Sequence, residues 1–342
     1  MIKNKKLNAI IIGTGKMASN HFRAIKTLGI NLSGIYDKSS HQLNKFQKLN
    51  KLKNIYKIKD LEEFLSKNKI DLSIISTTAD SHYKYVKRCA EKKIKFIFVE
   101  KPMANSINDC KKMIHLCKNK KSKLQVNHNK IFSEEYKRVY NFVKSNKLGK
   151  LVSINISAGN IGLAMNAIHY IYCFLQLTNS KIKDVNGCFE EKNLFNPRGK
   201  AFLDQSGQIQ IRNKKNQYLF INALRKNSHG INSIYNFENG NIFFSEIDGF
   251  CYISMRKKTF YNFPSYRYGM PSKNLFFKYK KNNLEEMTTK SLKFFLENKA
   301  IISSKRACET IEGLVAAYKS NKLNNLKCNL KNLNKKRKYP WA

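Results

Sequence analysis

The feature that most constrains the fold is a glycine turn between a buried-strand pattern and a helical one. Ala9 to Ile12 is an apolar run, Gly13-Thr14-Gly15-Lys16-Met17-Ala18 follows, and a helical pattern extends from Met17 to Thr27. In such a G-x-G-x-x-A segment the first glycine permits the tight turn. The second lets a ligand approach the backbone, and the small sixth residue lets helix and strand pack closely. The free N–H groups at the helix start then face whatever anionic group lies there. Asp37 ends the second predicted strand, 22 residues after Gly15, where an acidic residue binds ribose hydroxyls of a dinucleotide. The expected cofactor is therefore NAD. Lys38, Ser39 and Ser40 next to Asp37 suit a 2′-phosphate, so NADP stays open.

The rest of the first half alternates strand and helix patterns, which specifies a parallel sheet covered on both faces. Strands are expected at Leu32 to Tyr36, around Ile55-Tyr56, at Leu72 to Ser76, at Phe96 to Val99 and at Leu124 to Val126. Helical patterns run from Ser40 to Lys48, from Asp60, from His82 to Glu91, and after Ser106, which stands three residues before Asp109 as an N-cap should. From about residue 150 the texture becomes a succession of strands, at Leu151 to Ser157, Gln208 to Arg212 and Tyr218 to Leu224. Asn239-Gly240 and Asp248-Gly249 sit where hairpins need tight turns. Helices are expected at about Asn166 to Leu177, Leu284 to Leu296 and Ser304 to Ser320. The fold class is thus α/β: an N-terminal Rossmann doubly wound parallel sheet, residues 1–126, plus a C-terminal α+β domain with a large, mostly antiparallel sheet, residues 127–342.

A chain of 342 residues accommodates about two such domains. No apolar run approaches the roughly 18 residues that span a bilayer. Eight scattered cysteines form no C-x-x-C pair and no grouping with histidine, so no metal is expected and a reduced, cytoplasmic setting is. The 65 Lys and Arg outnumber the 23 Asp and Glu, for a formal charge of +42. That excess is spread along the whole chain, Arg is scarce, and Asn and Ile are abundant, the bias of AT-rich coding. Without clustering on one face, nucleic-acid binding is disfavoured, whereas an anionic small substrate is favoured. The run Lys335-Lys336-Arg337-Lys338 reads as solvated, and Tyr339 and Trp341 after it as docked aromatics.

Chemistry-bearing residues stand where the predicted strands end, since ligands of open parallel sheets lie outside the carboxyl ends of the strands. Thr77 and Thr78 would line the cofactor crevice. His82 opens the next helix and reads either as a cofactor neighbour or as a cap or packing residue. Glu100-Lys101-Pro102 follows the strand Phe96 to Val99. A lysine there can stabilise an alkoxide on a substrate, the alternative being a solvated lysine. The bond before Pro102 is one where a cis isomer is tolerated.

Gly13-Thr14-Gly15, Asp37, the stretch Ile70 to Ile75 leading to His82, and Glu100-Lys101-Pro102 together resemble the Gfo/Idh/MocA oxidoreductase family. Lys147-Leu148-Gly149-Lys150-Leu151 is similar to its turn into the sheet domain, and Ala316 to Ser320 to its late helix. The resemblance implies cofactor contacts at Gly13, Thr14, Gly15, Lys16, Met17, Asp37, Thr77, Thr78, His82 and Glu100. It implies that Lys101 bridges substrate and nicotinamide, and that His169, in Asn166-Ala167-Ile168-His169, is the general base. Asn127, Lys130 and Asn166 would contact substrate. The chain departs from the family where Met165 and Tyr172 stand in place of carboxylates four residues before and three after the histidine. Asn166 can orient a substrate but cannot relay a proton as a carboxylate does.

The function implied is hydride transfer to or from a CH-OH group of a sugar, cyclitol or nucleotide-linked sugar. The alternative is a non-catalytic NAD(P)-binding sensor or regulator of the same fold, which the missing carboxylates favour and the retained Lys101 and His169 oppose. Ile242, Phe243, Phe244, Ile247 and Phe250 lie close together in the sheet domain, and the resemblance implies a homo-oligomer assembled through that sheet.

Overall fold

The computed structural model describes residues 7–52, 56–159, 161–190, 199, 201–263, 271–281, 283–298 and 303–341. The chain divides into two units. The first is Met1–Asn129 with Asn283–Ile311 and Asn334–Ala342, and the second is Lys130–Asn282 with Glu312–Leu333. Two stretches that sequence places after residue 126 thus return to the first unit.

In the first unit, strands and helices alternate as β1 (Asn8–Ile12), α1 (Ala18–Thr27), β2 (Asn31–Tyr36), α2 (Ser40–Leu49), α3 (Leu61–Lys67), β3 (Leu72–Ile75), α4 (His82–Glu91), β4 (Phe96–Val99), α5 (Ile107–Asn119) and β5 (Lys123–Val126). The described strands pair in the order β2-β1-β3-β4-β5, all parallel. Every residue of β3 and β4 is buried, as expected of a sheet covered on both faces. Ser106 caps α5 by accepting the amide of Asp109, and Asp60 caps α3 by accepting that of Glu63. Of the strand expected around Ile55-Tyr56, Ile55 lies outside the described residues. Tyr56 to Ile58 run beside β2, where the Ile35 amide donates to the Tyr56 carbonyl at 3.0 Å, the Ile58 amide donates to the Ile35 carbonyl at 2.9 Å, and Lys57 forms an isolated parallel bridge with Ile35. β1 lies between β2 and β3, and the strand order reverses direction from there, which opens a crevice at the carboxyl ends of β1 and β3. Gly13 and Ser76, the residues that follow those two strands, meet in it: the Ser76 hydroxyl donates to the Gly13 carbonyl at 2.6 Å.

The second unit begins with α6 (Glu134–Ser145), β6 (Leu151–Ala158), a π-helical turn Leu163–Ala167 and α7 (Ile168–Thr178). Seven strands follow: β7 (Ile182–Phe189), β8 (Gly207–Asn213), β9 (Tyr218–Ala223), β10 (Asn232–Phe237), β11 (Gly240–Ser245), β12 (Phe250–Arg256) and β13 (Ser272–Lys278). Then come α8 (Leu284–Leu296), α9 (Ser304–Lys322) and β14 (Cys328–Asn329). The described strands of this unit form one sheet in the order β13-β12-β11-β10-β6-β9-β8-β7-β14, antiparallel except for β6 against β9. β10 and β11 pair as far as Phe237 and Gly240, so the hairpin closes over Glu238-Asn239, and Gly249 takes φ +74 just before β12. The apolar residues of β11 and β12 do not form one patch. Side chains alternate along a strand, so Ile242 and Phe244 are buried while Phe243 stands on the opposite face, 5.9 Å from Phe250, which lies 5.7 Å from Phe276. Ile247, in the loop between, is 55% exposed.

α8 completes the core of the first unit. Its Leu292, Phe295 and Leu296 pack in one cluster with Ile11, Ile74, Phe96 and Phe98, and the Phe295 ring lies 5.5 Å from Phe96. The chain end packs there too. Tyr339 and Trp341 are buried and stacked at 4.6 Å, and the Trp341 indole donates to the Ala104 carbonyl at 3.2 Å, while residues 335–338 are exposed. None of the eight cysteines, all of them described, is in a disulfide. Among the described residues no helix is long and apolar enough to cross a membrane, and no cluster of His, Cys, Asp and Glu is arranged to hold a metal.

Candidate functional site

The glycine turn has the geometry its sequence requires. Gly13 adopts φ +89, and a Cβ there would lie 2.6 Å from the Thr77 methyl group, so the position excludes any side chain. A Cβ on Gly15 would meet nothing nearer than the Ser76 carbonyl at 4.0 Å, which leaves its backbone open to a ligand. α1 then starts from Met17 with no side-chain cap and no acidic residue in its first turn. The Ala18 and Asn20 amides donate back to the Gly15 and Met17 carbonyls at 3.0 Å each, and the positive end of the helix dipole favours an anion at this terminus. Lys16 is exposed beside them.

Asp37 closes the other side. One carboxylate oxygen accepts the Thr14 amide at 2.8 Å and the Thr14 hydroxyl at 3.0 Å, and the other accepts the Ser39 amide at 3.0 Å. Thr14, itself buried, thus serves to fix Asp37. A cleft of about 180 Å³ runs between these groups, lined among others by Gly13, Gly15, Asp37, Lys38, Thr77 and Thr78. Its open glycine backbone, its uncapped helix start and its fixed carboxylate match the phosphate and ribose groups of a dinucleotide.

At the end of β4, Glu100 and His82 hold the chain and do not line the cleft. The Lys101-Pro102 bond is cis. Glu100 is buried. Its Oε1 accepts from the Nε2 of His21 and the Nδ2 of Asn127, both at 2.8 Å, and its Oε2 accepts the Lys101 amide at 3.2 Å. Burial pushes the carboxyl up, but the His21 bond and charge, then Asn127 and Lys101, outweigh it and hold the pKa at about 2. His82 is fully buried, with Nδ1 3.0 Å from the Pro102 carbonyl and 3.2 Å from that of Met103, and Nε2 3.1 Å from that of Thr77. It ties the Thr77 turn to the Lys101 turn. Burial lowers its pKa against these bonds. His128 is buried as well. Burial and then the Lys101 charge lower its pKa to about 3, against the pull of Glu100. Asn127 serves the same lattice through its amide nitrogen, while its Oδ1 is buried with no hydrogen-bond partner among the described residues. An orphaned acceptor of this kind calls for a water or a ligand donor. Sequence reasoning missed His21 and His128; the only signal was that each is a histidine within a few residues of a motif.

In the second unit, Asn166 ends the π-helical turn region with its side chain exposed and its amide on the Ile161 carbonyl at 2.6 Å, and His169 is half-buried in the first turn of α7. The expected helix start at Asn166 is the π-helical turn, a distortion that recurs at functional sites. Buried Asp204 holds that turn, accepting the amides of Ala164 and Met165 at 2.8 Å each. Gly162 lies against it with φ +72, where a Cβ would overlap the carboxylate. A carboxylate thus grips the backbone of Met165 from the segment before β8, although none stands at 165 itself.

Lys130, expected near substrate, is paired within the second unit. Its ammonium is 2.6 Å from Glu246 and 4.8 Å from the centre of the Tyr170 ring, and the Tyr170 hydroxyl donates to the same Glu246 oxygen at 2.8 Å. Burial lowers its pKa, but Glu246 and Glu135 more than reverse this and raise it. The Lys130 ammonium thus forms an ion pair inside the second unit, with side chains of 15% and 9% exposure.

Known proteins show the same architecture. Residues 7–128 match the oxidoreductase family with an NAD-binding Rossmann fold, GFO_IDH_MocA. The uncharacterized oxidoreductase YhhX of Escherichia coli K12 is 31% identical over 101 residues, a match that covers 30% of this chain and 29% of that protein. Over 95% of this chain and 99% of the other, the fold is similar, with TM-score 0.78 and 16% identity, to an oxidoreductase from Agrobacterium radiobacter solved with NAD+, L-tartaric acid and magnesium. It is also similar, with TM-score 0.75 and 16% identity over 96% of this chain and 99% of that one, to a super-repressor mutant of Gal80p from Saccharomyces cerevisiae. The glycine turn, the Asp37 clamp and the Lys101 turn all lie within residues 7–128, the part of the chain that matches the NAD-binding Rossmann domain of the Gfo/Idh/MocA oxidoreductases.

Proposed function

We propose that this protein is an NAD(H)-dependent oxidoreductase that interconverts a CH-OH group and a carbonyl on a sugar, cyclitol or nucleotide-linked sugar. The observation that carries the reading is the Lys101 turn. A buried ionised carboxylate, a cis proline and two buried histidines fix the backbone of one half-exposed lysine at the end of β4, beside the strand ends that form the dinucleotide cleft. A lysine with no chemical task would not need that scaffold.

In this reading the Lys101 ammonium donates to the reacting oxygen and stabilises its alkoxide character. His169 takes the hydroxyl proton in oxidation and returns it in reduction, a role its imidazole suits near neutral pH. Gly13, Gly15 and Asp37 would hold the dinucleotide, whose nicotinamide would supply the hydride-transfer chemistry. Asn166 and the orphaned Oδ1 of Asn127 are the proposed polar contacts for substrate, and the excess of lysine favours an anionic one. The fixed charge of Asp37 favours NAD over NADP, because a 2′-phosphate placed there meets a carboxylate.

A second reading, a dinucleotide-binding regulator, is supported by Met165 and Tyr172 in place of carboxylates and by the likeness to Gal80p. The two part on one assay, the absorbance of reduced cofactor with a panel of sugars, cyclitols and nucleotide sugars. The enzyme reading expects turnover that Lys101→Ala lowers by roughly 10²–10³ while NAD+ binding is retained. NAD+ binding without turnover across the panel supports the regulator, and full turnover in Lys101→Ala removes the lysine from the mechanism.

A further inference from the structure

His21 lies inside α1, fully buried, one turn after Met17, whose carbonyl accepts its amide at 3.2 Å. Its ring packs edge-on against Phe98 of β4 at 5.7 Å, and its Nε2 donates to Glu100 Oε1 at 2.8 Å. The other Glu100 oxygen accepts the Lys101 amide. Two hydrogen bonds through one carboxylate thus join the helix that opens the cofactor turn to the backbone of the lysine. We propose that His21 is a positioning residue, which sets through Glu100 where Lys101 stands and how much negative charge lies beside it.

Packing alone does not account for the arrangement. Apolar residues of similar size often replace a buried ionic pair without loss of stability. The other groups that face Glu100 also leave this task to His21. Asn127 donates to it as a neutral amide, and His82 and His128 are charge neighbours whose own pKa values are lowered by burial. Lys101 is the remaining charged neighbour. Of these residues His21 alone lies on α1.

The inference rests on the catalytic reading of Lys101, and the test is chosen to separate the two. Full-length protein is acylated at pH 8 with acetic anhydride, and the Lys101 peptide is quantified by mass spectrometry against the other lysines, with and without substitutions at His21. In His21→Leu the ionised Glu100 loses its His21 donor, more of its negative charge faces Lys101 and holds the ammonium protonated, so Lys101 is expected to react about fivefold more slowly. His21→Gln, which keeps a donor near Glu100, should stay within about twofold of wild type. A purely structural histidine would change the melting temperature and leave the relative reactivity of Lys101 alone. Wild-type reactivity at Lys101 in folded His21→Leu overturns the proposal. If that variant does not fold, the same result in His21→Asn, whose shorter amide falls short of Glu100, overturns it equally. The labelling needs no substrate, so a shift in Lys101 reactivity together with full turnover in Lys101→Ala keeps the positioning and discards the catalytic role.

Discussion

Thr14 and Asp37 are bound twice, the Thr14 amide at 2.8 Å and its hydroxyl at 3.0 Å to one carboxylate oxygen, so the second residue of the glycine turn fixes the acid that ends β2. Asp37→Ser removes the ribose acceptor and this brace together. Charged hydrogen bonds contribute about 1.5–3 kcal/mol each, so the Kd for NAD+ should rise roughly ten- to hundredfold. Affinity for NADP+ should rise relative to NAD+, because Lys38 and Ser39 remain without the opposing charge. Fluorescence titration with both cofactors checks this, and an unchanged ratio would show that Asp37 does not select between them.

Gly13→Ala tests the turn itself. The new methyl group meets φ +89 and a Thr77 contact at 2.6 Å, with backbone atoms of Ser76 and Thr77 equally near. A strained backbone of this kind costs about 1–3 kcal/mol before any clash. Denaturant melts should show at least that loss, together with loss of NAD+ binding. Gly15→Ala, with open space around it, should lose cofactor affinity with little change in stability.

Lys130→Met separates the structural reading of Lys130 from a substrate contact. It strands Glu246, whose side chain is 9% exposed, and removing one partner of a buried pair costs about 3–5 kcal/mol. The double variant Lys130→Met with Glu246→Gln should recover much of that stability. A single variant as stable as wild type, with altered substrate affinity, would return Lys130 to the substrate site.

Acid should weaken the first unit in two windows. His128 has a folded pKa of about 3, below its unfolded value, so its contribution is complete above pH ~6.5 and is lost as pH falls towards 3. Glu100, held at about 2, contributes fully above its unfolded value and loses that as pH falls from ~4.5 towards 2, a span worth about 3 kcal/mol. Melting temperatures from pH 7 to 3 should therefore fall. Glu100→Gln should flatten the lower window and leave the upper one, and a profile identical to wild type would contradict the Glu100 assignment.

Local chemistry made much of this legible. A buried run followed by Gly-x-Gly, an acid at the end of the next strand and alternating strand and helix periods specify the parallel unit, because backbone dihedrals and burial faces repeat over a few residues. The Asn239-Gly240 and Asp248-Gly249 signals located hairpins for the same reason, and Ser106 capped its helix as its spacing required.

The sequence alone determined the glycine turn, the position of Asp37 opposite it and a lysine at the end of β4, since each is a matter of chain order and local conformation. Tertiary structure decided what the polar side chains do. Glu100 pairs with His21, 79 residues away, His82 with main-chain carbonyls, and Lys130 with Glu246, 116 residues away, partners that the sequence reading did not name. A buried polar group must be paired, and the partner that satisfies it is chosen by packing in space, which periodicity along the chain does not encode.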